Sequence, residues 1–167
     1  QLTWLVYSDA LVTRSMGGVL PEQEGRLSGI QDILDLGCGP GGWALDVAFQ
    51  YPESTVSGVD ISRPMIDYAN TRAVSQGIKN ASFGVMDIMQ PLDIADQSID
   101  LVNARFLFSS FSPQDWPTLL RECWRILRPG GTLRLTELER ASTNSPATER
   151  FWDIYAQALY ATGRSFS

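Results

Sequence analysis

Short apolar and β-branched runs alternate with helical patterns along most of this chain of 167 residues. The short runs predict five strands, at about 31–36, 55–60, 81–87, 99–105 and 132–137. Apolar residues at helical spacing predict helices at about 42–51, from Ser62 to Gly77, from Ser112 to Arg128 and at about 146–162. Because strands that alternate with helices pack as a parallel sheet, the pattern predicts an α/β fold, a Rossmann-like doubly wound sheet with helices on both faces.

The first 29 residues do not follow this alternation. Asp9–Ser15 predicts a helix and the glycines after Met16 predict a loop, so we expect residues 1–29 to form a lid over the mouth of the site. Residues 30–140 are expected to form the ligand-binding core. Residues 141–167 are expected to add a C-terminal helix that covers part of the same site.

The stretch from Asp32 to Gly42, D-I-L-D-L-G-C-G-P-G-G, joins the first predicted strand to a glycine-rich turn. Such turns let the backbone approach a bound nucleoside, and G-x-G-x-x-G also fits the loop that holds a dinucleotide pyrophosphate. A turn that needs glycine for backbone reasons alone is the simpler alternative. Asp35 decides between ligands, because its carboxylate would repel a pyrophosphate and would suit an ammonium group.

Two more acids end the second and third predicted strands, where open parallel sheets place their ligands. The two oxygens of Asp60 match two vicinal ribose hydroxyls, although a dinucleotide enzyme would place an acid here too. A helix-capping role for Asp60 and a solvated surface position for Asp87 remain the alternatives.

The turn resembles motif I of the class I S-adenosylmethionine-dependent methyltransferases, D/E-x-G-x-G-x-G, which reads D-L-G-C-G-P-G here. The resemblance extends over about residues 30–140, in the family's order and spacing. It implies S-adenosylmethionine as cofactor and S-adenosylhomocysteine as product. The cofactor-binding residues that it implies are Asp35, Gly37, Cys38 and Gly39 in the turn, Asp60 and Ile61 at the ribose, Met86, Asp87 and Ile88 at the adenine, and Asn103 near the methionine portion.

Two further segments match the family without carrying chemistry. Ser98–Arg105 resembles its F-D-x-V strand, in which the acid, here Asp100, has a structural role. Leu127–Leu133, L-R-P-G-G-T-L, resembles its helix stop and turn into the fifth strand. The family's sheet has seven strands whereas five are predicted here, which suggests a fragment of a longer protein, or a homodimer that pairs the exposed edge strand.

The resemblance implies direct in-line transfer of the methyl group to a small-molecule acceptor. The sequence contains no His, so the commonest general base is absent and no catalytic residue is assigned. Candidate acceptor contacts, each with core packing or a solvated surface as the alternative, are Arg14, Arg105, Phe108, Trp152 and Tyr155. An NAD-dependent oxidoreductase and a catalytically silent scaffold that binds the cofactor are the competing functions.

Composition limits the kinds of partner that this chain is expected to bind. The net charge of −6 and the sequence N-A-R-F, where base-modifying methyltransferases carry N-P-P-Y, disfavour a nucleic-acid acceptor. No apolar run approaches the roughly 20 residues that span a bilayer, so no membrane partner is expected. Cys38 and Cys123 lie in apolar patterns and no His is present, which predicts a cytoplasmic protein without a metal site.

Overall fold

Five parallel strands form one sheet in the computed structural model, which describes residues 2–23, 29–137 and 144–164. The sheet order is β3-β2-β1-β4-β5. The strands are β1 (Asp32–Leu36), β2 (Thr55–Asp60), β3 (Ala81–Val85), β4 (Ile99–Arg105) and β5 (Leu127–Thr136). Each corresponds to an apolar run of the sequence, and the central strands β1 and β4 are the most uniformly buried, as a sheet covered on both faces requires.

Helices cover both faces of this sheet, which confirms the predicted fold class. They are α1 (Leu2–Ser15), α2 (Gly42–Gln50), α3 (Arg63–Ser75), α4 (Trp116–Ile126) and α5 (Pro146–Ala161). Alternate residues of β1 enter two apolar clusters, because successive side chains of a strand point to opposite faces. Ile33 packs with Trp43 of α2, whereas Leu34 packs with Leu119 of α4.

No described helix combines the length and the apolar character that crossing a bilayer requires. The described part of α1 is longer than the predicted helix, since it begins at Leu2 and not at Asp9. Its side chains before residue 5 lie outside the described residues.

Local hydrogen bonds explain where element boundaries differ from prediction. The fourth helix begins at Trp116 rather than Ser112, and in the turn before it the Asp115 carboxylate accepts bonds from the backbone N–H and the hydroxyl of Ser112. The β5 strand begins at Leu127 instead of 132, with an irregularity in its register against β4 before Thr132. Ser62 precedes α3 as predicted, but its side chain makes no capping bond.

Asp100 has the structural role that the resemblance implied. Its Oδ2 accepts hydrogen bonds of 2.9 Å from the backbone N–H groups of Gln31 and Asp32 at the start of β1. Its Oδ1 lies 2.8 Å from Nη1 of Arg128, whose Nη2 lies 2.9 Å from Asp32. These contacts tie β1, β4 and β5 together at the sheet edge opposite the strand ends that form the site.

Gly58 of β2 provides a test of the packing beneath the glycine turn. A Cβ at this position would lie 2.6 Å from Cδ1 of Phe83 and 3.0 Å from Sγ of Cys38. We expect Gly58→Ala to lower the free energy of unfolding by about 1–3 kcal/mol, the usual cost of overpacking. Gly84→Ala on the neighbouring strand is the control, because nothing lies within 4 Å of its Cβ position. Urea unfolding of both variants measures the difference, and equal stability of the two contradicts this packing.

Candidate functional site

Two adjoining cavities lie where the carboxyl ends of β1, β2 and β4 meet. Parallel α/β sheets place their ligands at this edge. The first cavity has a volume of about 350 Å³ and the second about 330 Å³. Gly37 and Asp60 line both cavities, so the two form one elongated site whose middle is the glycine turn.

The glycine turn approaches its neighbours too closely for side chains. Gly37 has a φ of +67°, and a Cβ there would lie 2.9 Å from Cδ2 of Leu107. Asp60 holds the same turn: its Oδ2 accepts from the N–H of Gly39 at 2.9 Å, and its Oδ1 accepts from the N–H of Ser62 at 2.8 Å. The carboxylate that faces the cavities therefore also fixes the backbone around it.

Asp35 is a buried carboxyl group that faces the first cavity. It is 4% exposed, and its Oδ1 accepts a 2.7 Å hydrogen bond from Nδ2 of Asn103. Burial raises the pKa of Asp35 to about 7, against the opposing effects of the Arg105 charge and the Asn103 hydrogen bond. A cation placed in the cavity would favour the ionised form, which suits the ammonium partner expected from sequence.

Asn103 is fully buried behind Asp35 and does not line either cavity. It is the register partner of Asp35 on the adjacent strand β4. Its Oδ1 accepts a 2.9 Å hydrogen bond from Nη1 of Arg134 on β5. Asn103 was predicted to lie near the methionine portion of the cofactor. It can act on that end of the site only through its hydrogen bond to Asp35.

Arg105 lines the first cavity, and α1 contributes an acid that sequence reasoning missed. Arg105 forms an ion pair with Asp9, donates to Oγ1 of Thr13 at 3.0 Å, and lies 6.0 Å from the centre of the Trp43 ring. The Asp9 carboxylate lies against the backbone of Gly42, where a Cβ would overlap it. Burial raises the pKa of Asp9, and the Arg105 charge opposes that shift. These contacts fasten α1 over the first cavity.

The second cavity receives four of the residues predicted at the ribose and adenine, Asp60 among them. Ile61, Asp87 and Ile88 line it together with Phe111. Ile61 is 68% exposed, so its side chain is available to a ligand. Met86 is not among them, because it packs in the apolar cluster beneath α4 and lines a different cavity.

Cys38 lines the first cavity from the turn as a buried thiol. Burial raises its pKa, and the carboxylates of Asp35 and Asp60 act in the same direction. Such a thiol stays protonated at neutral pH and is a poor nucleophile. The Cys38 side chain therefore contributes packing to the site and does not serve as a nucleophile.

Of the five predicted acceptor contacts, Arg105 alone lines either of these cavities. Phe108 is buried, and its ring meets that of Tyr155 edge-on at 6.4 Å. Trp152 lies 6.2 Å from Tyr155 in the same aromatic group on α5. Arg14 is exposed near the end of α1.

A short turn after β4 lines both cavities, with Phe106 at the first and Leu107 at the second. Phe106 adopts a φ of +61°, a conformation that costs free energy for a residue other than glycine. Glu137 stabilises the turn, since its two carboxylate oxygens accept from the N–H groups of Leu107 at 3.0 Å and Phe108 at 3.2 Å. Nothing in the local sequence pattern indicated this pairing between the ends of β4 and β5.

A family model described as a methyltransferase domain matches residues 33–131. The chain is 32% identical over 139 residues to a protein-methionine methyltransferase, laeA, of Emericella nidulans, covering 79% of this chain and 34% of that protein. It is 30% identical over 132 residues to a demethylmenaquinone methyltransferase of Lactococcus lactis, covering 78% of this chain and 50% of that protein.

A solved structure shares the fold and contains the product nucleoside. Coclaurine N-methyltransferase, bound to N-methylheliamine and S-adenosylhomocysteine, matches with a TM-score of 0.63 and 25% identity, over 74% of this chain and 35% of that one. The present chain spans between about a quarter and a half of the length of the first curated relatives it matches.

The raised pKa of Asp35 predicts a specific pH dependence of stability. Its pKa is about 7 in the folded chain, against about 3.9 in an unfolded one, so the folded state binds the extra proton between these values. The contribution of Asp35 to the free energy of unfolding is therefore largest at low pH. It falls between about pH 4 and pH 7 and is constant above.

Asp35→Asn removes this titration. We expect the stability of the variant relative to wild type to rise from about pH 4.5 to about pH 7.5 and then level off, as measured by urea unfolding. Asp93→Asn, which removes an exposed carboxyl, is the control. A pH-independent difference for Asp35→Asn would contradict the buried, partly protonated state.

Proposed function

Because the chain belongs to the class I S-adenosylmethionine-dependent methyltransferases, we propose that it transfers a methyl group from S-adenosylmethionine to a small-molecule acceptor. The observation that carries the proposal is the buried Asp35 carboxyl facing the first cavity, beside an Asp60 that lines both cavities. A buried carboxylate at this point suits an ammonium and disfavours a pyrophosphate. That charge preference argues for the sulfonium nucleoside over NAD.

The acceptor groups present suit the donors of this cofactor along the length of the site. Asp35 would hold the α-ammonium, and Asp60 would accept from the ribose hydroxyls where the two cavities meet. Asp87 and the apolar side chain of Ile88 would receive the adenine in the second cavity. When bound, the cofactor supplies a methyl group on a positively charged sulfur that an acceptor atom can attack in line.

The protein's own contribution to such a transfer is orientation and exclusion of water. Leu5 and Asp9 of α1 line the first cavity from above, and the ion pair between Asp9 and Arg105 holds the helix there. Holding two reactants in line can contribute roughly 7–11 kcal/mol to lowering the barrier. The leaving sulfonium is already activated by its charge, so the proposed reaction needs no dedicated general base.

A small acceptor is supported by the cover that α1 places over the first cavity, since Leu5 and Asp9 of this helix line it. Arg105 is the charged side chain best placed to contact a polar acceptor, since it lines the cavity on the side of α1. The net charge of −6 adds to the argument against nucleic acid.

A protein acceptor is the second candidate, and a specific similarity favours it. The Emericella nidulans relative is named a protein-methionine methyltransferase. An acceptor screen of the full-length protein separates the two by measuring S-adenosylhomocysteine formation with a small-molecule panel and with methionine-containing peptides. Turnover with peptides alone would replace the small-molecule proposal. Cofactor binding without turnover in either panel would favour a scaffold.

Calorimetric titration tests the cofactor and the role of Asp60. We expect S-adenosylmethionine and S-adenosylhomocysteine to bind and NAD not to bind. Asp60→Ala should weaken S-adenosylhomocysteine binding by about an order of magnitude or more, because it removes the ribose acceptor and the hold on Gly39. Asp67→Ala, at an exposed acid of α3, is the control. Binding of NAD alone would overturn the proposed function, and unchanged affinity of Asp60→Ala would remove Asp60 from the ribose role.

A further inference from the structure

Three polar residues form a hydrogen-bonded row across the centre of the sheet. Asp35 of β1 is the register partner of Asn103 on β4, which is the register partner of Arg134 on β5. Nη1 of Arg134 donates to Oδ1 of Asn103 at 2.9 Å, and Nδ2 of Asn103 donates to Oδ1 of Asp35 at 2.7 Å. The row leads from the outer strand to the first cavity.

The row is buried along its whole length. Asn103 is 0% exposed, Asp35 is 4% exposed and the side chain of Arg134 is 9% exposed. Glu22, from the short turn Pro21–Gln23 after α1, accepts from Nε of Arg134 at 2.9 Å and holds the outer end. Burying the charged side chain of Arg134 costs desolvation free energy. The two hydrogen bonds that it donates, to Glu22 and to Asn103, therefore call for an explanation.

The hydrogen bonds of the row are all donated in one direction, from Arg134 toward Asp35. A guanidinium has only donors, so the amide of Asn103 must present its oxygen to Arg134. The same amide then presents its NH₂ group to Asp35, which favours a carboxylate over a carboxylic acid. Without Arg134, the amide is free to turn over, so that its oxygen accepts a hydrogen bond from the protonated form of the Asp35 carboxyl.

We propose that Arg134 is a positioning residue for cofactor binding, which orients the Asn103 amide so that Asp35 is held as an acceptor for the ammonium group. This inference rests on the proposed function for the identity of the ligand. It assigns to β5 a role in the site although Arg134 does not line either cavity.

Other charged groups face Asp35 and act on it independently. Arg105 on β4 favours the ionised form, whereas Asp9 from α1 opposes it. Cys38 on the turn is a protonated thiol that carries no charge at neutral pH. Burial raises the pKa of Asp35 to about 7, and Arg134 lowers it together with Arg105 and Asn103. Loss of Arg134 should therefore move the midpoint for ammonium binding to higher pH.

The experiment is calorimetric titration of S-adenosylhomocysteine against wild type and Arg134→Met between about pH 6 and pH 8.5. We expect the variant to bind about three- to tenfold more weakly at pH 7, with a raised midpoint and with affinities that converge toward pH 8.5. Arg134→Lys keeps a donor-only head group and should recover part of the wild-type profile. 5′-Methylthioadenosine, which lacks the ammonium, should bind both proteins equally and without this pH dependence.

Arg128→Met is the matched control, since it removes the same charge from the same strand at the far end, where Arg128 pairs with Asp32 and Asp100. The pH midpoint of S-adenosylhomocysteine binding to Arg128→Met should equal that of wild type. An unchanged midpoint in Arg134→Met, or an equal loss for both nucleosides at every pH, would overturn the inference in favour of a purely structural role.

A wild-type protein that binds neither nucleoside would overturn the proposed function instead. The link between Arg134 and Asp35 is then still measured by urea unfolding of the ligand-free protein. In Arg134→Met the fall in the free energy of unfolding with rising pH should extend above pH 7. Coincident pH profiles of variant and wild type would contradict the link.

Discussion

The hydrogen bond between Asn103 and Asp35 joins the two central strands at the edge where the site lies. A buried carboxyl group is expensive, and it persists here because β4 offers an amide in register and Arg105 supplies a nearby positive charge. The same burial places the pKa near neutrality, so a cationic ligand can change its protonation state. Asp35 therefore both joins the two strands and presents a carboxyl group to the first cavity.

Carboxylates elsewhere in the fold act on the backbone in a common way. Asp60 accepts from two N–H groups around the glycine turn, and Asp100 does the same at the start of β1. Glu137 does so at the turn after β4. Each acid satisfies donors that irregular backbone would leave unpaired, which is how loops without helical or strand bonding become fixed walls of a cavity.

The local sequence predicted the framework well because its signals are short-range. Apolar periodicity identified the five strands, and the spacing of glycines and acids identified Asp35, Asp60 and Asp87 at strand ends. Boundaries were less accurate at turns such as Ser112–Asp115, which precedes α4 and has its own side-chain hydrogen bonds. Met86 was expected at the adenine; because a strand alternates its faces, the position after β3 packs its partly buried side chain against the apolar cluster beside α4.

The amino-acid sequence by itself determined the fold class, the glycine turn and the acids at the carboxyl ends of the strands, since each depends on neighbours a few residues away. Only the tertiary structure decided that Asp9 of α1 pairs with Arg105, and that Arg134 supports Asp35 through Asn103. Those contacts join distant parts of the chain. They depend on strand order, register and the docking of α1, which neither periodicity nor motif spacing contains.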